Sequence, residues 1–264
     1  METSIILPAL FMTILEGAAL LIGLLFTTNK RFEKGSIIPF LFAFSGGMML
    51  YAAFVKFMPG AIEKLEYKYT SSEALLYVSI AFFIGLLVSA PIDHILTRRQ
   101  KQIHCPTSEC IQSKNEHHVY ILLLLSITLH NFLEGIATYF TYIDDPDIAL
   151  IIVASLIAHN IPEGAIISML VYKHTESRRK AVKMCLLSGL AGPVGAILMA
   201  VLMPTLLTPT LVSIIKALLA GLLVNTALAE LILPSSYLYN KHIVSKRGII
   251  FGMMFMAFLL ILSH

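Results

Sequence analysis

A chain of 264 residues that is 57% hydrophobic and only 13% charged is far more apolar than a soluble domain, where about 45–50% apolar and about 25% charged residues are usual. That composition excludes a water-soluble protein and makes a lipid bilayer the expected neighbour of most of its surface. The formal net charge of +3 is small, follows from loop charges that orient the chain, and gives no reason to expect a nucleic-acid partner.

Runs of about 20 apolar residues, the length that crosses a bilayer, fall at roughly 4–28, 37–58, 73–96, 119–142, 147–172, 181–204, 209–233 and 247–263. The expected fold is an all-α polytopic membrane protein with eight transmembrane helices, a single domain over 1–264. The first run follows Glu2 rather than a basic residue, contains Glu16 and lacks a small-residue cleavage site, so it reads as a retained span and not a signal peptide. Between the third and fourth runs, a loop at about 97–118 holds His104, Cys105, Cys110, His117 and His118. Its spacing is too irregular for a closed zinc finger, and it reads equally as a metal-capture loop or a solvated linker. Its cysteines are expected to be reduced if the loop faces the cytosol. In a chain without Trp, tyrosines such as Tyr67, Tyr77 and Tyr172 take the interfacial positions.

Orientation follows from the basic residues. Of the 19 lysines and arginines, all but Lys56, Lys64, Lys68 and Lys216 flank alternate ends of the spans, at 30–34, 98–114, 173–183 and 241–247. The positive-inside rule puts those ends in the cytosol and both termini outside. The outer connection after the fourth span is acidic, with Asp144, Asp145 and Asp147, which fits a solvated turn or a weak electrostatic attractor of cations.

The residues that carry chemistry lie in the fourth and fifth spans. His130-Asn131-Phe132-Leu133-Glu134-Gly135 is repeated 29 residues later as His159-Asn160-Ile161-Pro162-Glu163-Gly164. In each copy His and Glu are four residues apart, so on a helix they share one face, one turn apart. At about 1.5 Å per residue each His is about 17 Å into its span, near the middle of a hydrocarbon core about 30 Å thick. Ionisable groups at that depth are costly and mark a site. Imidazole, carboxylate and amide oxygen together suit a borderline divalent cation such as zinc, whose charge offsets the cost of burying carboxylates. Neutral imidazole is the ligating form, so acid should weaken binding. Pro162 removes a helix hydrogen bond at this point, and bent helices at mid-membrane are common ion sites in transporters.

These motifs, with the span pattern and the His-containing third loop, make the chain resemble the ZIP (Zrt/Irt-like) divalent metal transporters, closest to their bacterial ZupT-type branch. The resemblance implies uptake of zinc, and also of iron, manganese, cobalt or cadmium, into the cytosol across a prokaryotic cytoplasmic (inner or plasma) membrane. It implies no prosthetic group, the metal being cargo, and a homodimer in which a mobile four-helix group slides against a scaffold. Carried over by position, the main ligands are His130, Glu134 and Glu163, adjoined by Asn131, His159 and Asn160, with Met49 as a thioether contact. Three positions depart from the family pattern. Gly192 stands where relatives often have a Glu completing a second metal position, Leu133 where many have Pro, and Lys56 where an acidic residue is common. Glu16, near mid-depth of the first span, is a candidate substitute carboxylate.

A weaker signal is internal. Gly47 to Lys56 in the second span and Gly221 to Glu230 in the seventh share a register that matches Ala53 to Ala227, although Pro59 and Pro234 differ by one position. The two spans run oppositely, which gives inverted-repeat character of the kind secondary transporters use. Asp93, His94 and Glu230 near the cytosolic ends fit an exit path or plain helix capping equally. Two other readings stay open: an intramembrane zinc-dependent hydrolase and a metal sensor. Against the first, Asn131 and Asn160 occupy the place of the general base in HExxH, and neither a GxSxG elbow nor a phosphate-binding loop is present. Against the second, the loops are too short for a signalling domain.

Overall fold

The computed structural model describes residues 3–27, 36–100, 116–144, 146–206, 208–237 and 241–262, and all the regular structure among them is helical. In chain order the helices are α1 (Thr3–Thr27), α2 (Ile37–Ala52), α3 (Met58–Glu66), α4 (Ser71–Gln100), α5 (Glu116–Asp144), α6 (Pro146–Thr175), α7 (Arg178–Leu206), α8 (Pro209–Thr226), α9 (Leu233–Tyr237) and α10 (His242–Ile261). Two single π-helical turns, Ala53–Phe57 and Ala227–Ile232, join α2 to α3 and α8 to α9. Among the described residues, six segments are long and apolar enough to cross a membrane: Ile6–Leu25, Pro39–Glu66, Ala149–Met169, Arg178–Leu202, Pro209–Ala229 and His242–Ile261.

Local chemistry sets the helix ends. Proline opens α6 and α8, where its missing N–H is not needed, and the Thr208 hydroxyl caps α8 by accepting from the Leu211 N–H at 3.2 Å. Thr70 and Glu73 form a reciprocal capping box before α4, with the Thr70 N–H donating to the Glu73 carboxylate at 3.0 Å.

The sequence reading ends the second span near 58, at Pro59 and Gly60, but the helix runs on through both to Glu66. The π turn accounts for this: Pro59 lacks an N–H, and the wider turn just before it absorbs the lost α-helical bond. The same device recurs in the seventh span. The π turns begin at Ala53 and Ala227, the two residues that the internal repeat aligns, and each is followed two positions on by proline, Pro59 or Pro234. The second turn is six residues long and the first five, which accounts for the one-position mismatch of the prolines.

Glycines sort the helices into two groups. In one, α1, α5, α6 and α7 touch backbone to backbone: a Cβ on Gly135 would collide with the Gly192 carbonyl, and one on Gly17 with that of Gly189. In the other, α2 packs on α10 at Gly47 and α4 on α8 at Gly221, equally closely. Such crossings are how membrane helices approach without a hydrophobic driving force. Between the groups the seam is made of larger side chains, with Met48, Met49 and Phe57 from the second span and Leu223 of α8 facing Ala137 of α5 and Leu156 of α6. Large apolar residues such as Phe83 and Leu87 of α4 and Phe251 and Met254 of α10 stay exposed, as a lipid-facing surface requires.

Candidate metal centre

The two repeated motifs meet at the seam. His130 and Glu134 stand one turn apart on α5, His159 and Glu163 one turn apart on α6, and none of the four is more than 5% exposed. The His159 Nε2 lies 2.6 Å from Oε1 of Glu134, and the His130 Nε2 lies 3.0 Å from that same oxygen. His130 Nε2 is also 3.6 Å from Oε1 of Glu163. Two imidazoles from neighbouring helices therefore aim their Nε2 atoms at one point, flanked by two carboxylates. One ligand atom each from His130, His159 and Glu163 lies within 4.8 Å of the others. Ligand atoms of a tetrahedral zinc stand roughly 3.3 Å apart, given bonds of about 2.0–2.1 Å, so the group would need only side-chain rotation to reach that spacing. The second oxygen of Glu134 is buried without a hydrogen bond among the described residues, which leaves it open to a cation.

The two asparagines are held in the same way by different neighbours. Asn131 Nδ2 donates to the Ser188 hydroxyl of α7 at 2.9 Å, and Asn160 Nδ2 donates to the Glu16 backbone carbonyl of α1 at 3.0 Å. In both, Oδ1 is buried and accepts no hydrogen bond among the described residues. A buried acceptor left unpaired costs about 1–3 kcal/mol, and here it happens at both copies of the motif.

Met49 lines a cavity of about 20 Å³ with Met48, Phe57, Ser155, Glu134 and His159, room for roughly one water. A thioether is thus set across the seam from the motif residues. Glu16 is buried, 3% exposed, but its carboxylate accepts from the Thr138 hydroxyl at 2.8 Å and is not among the atoms that converge with His130, His159 and Glu163. A Cβ on Gly192 would meet nothing closer than the Asn131 carbonyl at 3.5 Å, so that position leaves space but offers no ligand. α6 continues unbroken through Pro162.

His104, Cys105, Cys110 and Asp145 lie outside the described residues. The backbone of His117 and His118 opens α5, that of Asp93 and His94 lies in α4, and that of Glu230 in the second π turn; their side chains lie outside what is described. Sequence reasoning missed Ser188 and Thr138, which belong to no motif. The only hint was a small polar residue in an apolar run, in Ser188 beside Gly189.

A bundle of long apolar helices with two His/Glu pairs converging at its inner seam defines an ion-handling membrane protein. The sequence matches the family described as ZIP Zinc transporter over residues 3–120 and 100–260. It is 32% identical to the zinc transporter ZupT of Chlorobaculum parvum over 263 residues, covering 97% of this chain and 98% of that protein. It is 34% identical to the ZupT of Akkermansia muciniphila, with 97% of each chain covered, and 31% identical to that of Streptococcus mutans, with 96% and 97% covered. The chain belongs to the ZIP zinc transporter family.

Proposed function

We propose that this protein carries divalent metal ions, zinc first among them, into the cytosol, holding each ion between α5 and α6 on its way through. It is a transporter and not an enzyme, with metal as its cargo and no prosthetic group, and it is a multi-pass protein of the prokaryotic cytoplasmic membrane. Family membership and relatives that carry the name zinc transporter along nearly the whole chain support this. The observation that carries the assignment to these residues is the convergence of His130 and His159 on Glu134 Oε1.

In this reading His130, Glu134, His159 and Glu163 are the ligands. Asn131 and Asn160 supply amide oxygens, and Met49 offers a thioether from across the seam. Glu16, whose carboxylate accepts from Thr138, is a substitute carboxylate near the depth of these ligands. With Gly192 contributing no side chain, one ion is held at a time. The chain forms one domain of eight spans, α4 and α5 adding to the six long apolar segments. At 30 and 29 residues these two are each about 45 Å long, more than the approximately 30 Å hydrocarbon core requires. Both termini face outward by the charge rule. The glycine-locked group α1, α5, α6 and α7 moves as a unit against α2, α4, α8 and α10, and the second group supplies the contact between two copies in a homodimer.

The test is zinc uptake into proteoliposomes without ATP. Wild type is expected to transport, and Glu134→Ala and Glu163→Ala to lose most of the uptake at equal incorporation. Wild-type uptake by either variant would refute its ligand role.

A further inference from the structure

We infer that Ser188 is a positioning residue for the ion: its hydroxyl locks the Asn131 amide so that Oδ1, and never the NH₂ group, faces the site. This rests on the reading of Asn131 as a ligand. The two ends of an asparagine amide are almost the same shape, so only hydrogen bonding decides which one faces a cation. Here the Ser188 oxygen accepts from Asn131 Nδ2 at 2.9 Å, which turns Oδ1 away from Ser188 and leaves it buried with no hydrogen bond among the described residues. The Thr128 hydroxyl, which donates to the Leu124 carbonyl at 2.7 Å, lies within 3.4 Å on the other side of the Ser188 oxygen and points its donor toward it.

Ser188 Oγ thus receives donors from both sides, Asn131 Nδ2 and Thr128 Oγ1, and Asn131 keeps its Oδ1 turned away from it. Asn160 reaches the same state by another route, because the Glu16 backbone carbonyl that holds its Nδ2 cannot donate at all. Ser188 is only 2% exposed, and what lets it reach Asn131 is the close crossing of α5 and α7 where Gly135 meets Gly192. Without Ser188 the amide is free to turn its NH₂ toward the ion, which repels it. An amide oxygen suits hard cations better than soft ones, so the device favours Mn²⁺ over Cd²⁺.

The test compares Mn²⁺ and Cd²⁺ uptake by the full-length protein in proteoliposomes, read as KM and Vmax, with Mn²⁺ affinity in detergent as a transport-independent measure. Ser188→Ala is expected to raise the Mn²⁺ KM and Kd about tenfold, the scale of one lost hydrogen bond of orientation. Cd²⁺ should move less than about threefold and Vmax should hold, while Ser188→Thr should restore Mn²⁺ binding. In an Asn131→Asp background, where both carboxylate oxygens are equivalent and need no orienting, Ser188→Ala should add less than about twofold. An unchanged Mn²⁺ KM in Ser188→Ala, or an equal shift in both backgrounds, would overturn the inference. Should the alanine variant not fold, Ser188→Cys, whose sulfur is a poor acceptor, is read by the same criteria. Asn131→Ala with wild-type Mn²⁺ affinity would instead remove Asn131 from the ligand set and take the inference with it.

Discussion

The donor chemistry at the site sets its response to acid. Both imidazoles point Nε2 at the oxygen of Glu134, so in the proposed site a cation and protons would compete for the same ring and carboxylate atoms. Metal ligation requires neutral imidazole and ionised carboxylate, and protons compete for all of these atoms. Apparent zinc affinity is therefore expected to fall as pH drops from 7.5 to 5, with the maximum rate much less affected. The check is the KM for uptake measured across that range in proteoliposomes with matched internal pH, and a constant KM would mean that the histidines are not ligands. The motif residues were legible in the sequence because His and Glu in an apolar run announce their own cost. The polar partners of Asn131 and Glu16 were not, since Ser188 and Thr138 are small polar groups that membrane helices also use for ordinary packing, and only the crossing of α5 with α7 brings Ser188 to Asn131. Glu16 shows the opposite limit: its depth was readable, but its partner Thr138, on another helix, was not.

At the scale of helices, sequence and structure differ most where backbone hydrogen bonding departs from the α pattern. A Pro-Gly pair reads as a stop, yet the second span continues past Pro59 because a π turn precedes it. Apolar periodicity carries no signal for such a turn. The internal repeat did carry one, since the residues it aligned, Ala53 and Ala227, are where the two π turns begin. Helix approach gives a sharper test. Gly135 and Gly192 belong to the same crossing, but a Cβ on Gly135 would collide with the Gly192 carbonyl, whereas one on Gly192 meets its nearest neighbour at 3.5 Å. Gly135→Ala is expected to destabilise the protein by about 1–3 kcal/mol, the usual cost of forcing atoms into a packed contact. Gly192→Ala should be neutral or stabilise by up to about 1 kcal/mol, because alanine is the better helix former. Thermal unfolding of both variants in detergent separates them, and equal melting temperatures would show that the crossing is not tight at Gly135.

For the whole molecule, the way it sits in the membrane fixes the side from which the buried site is reached. Charge supplies the argument. The start of α7, next to its connection with α6, carries Arg178, Arg179, Lys180 and Lys183, while the short connection between α3 and α4 carries only Lys68 beside Tyr67 and Tyr69. These connections lie at opposite ends of the bundle if every long helix crosses. Retaining basic loops in the cytosol is the dominant determinant of topology, so the α3–α4 connection is expected to face outward, with the small cavity beside Glu134 and His159 on the outer side of the site. Ser155 and Ile152, which line the cavity, precede His159 in α6, the helix that this orientation has entering from outside. Single cysteines at Lys68 and Arg179, placed in a protein lacking Cys105, Cys110 and Cys185, test the orientation with a membrane-impermeant thiol reagent on intact cells. The cysteine at 68 is expected to label at once, since neighbouring Tyr67 is 89% exposed, and the one at 179 only after permeabilisation. The reverse pattern would invert the chain, turn the cavity toward the cytosol, and make the same residues an exit in place of an entrance.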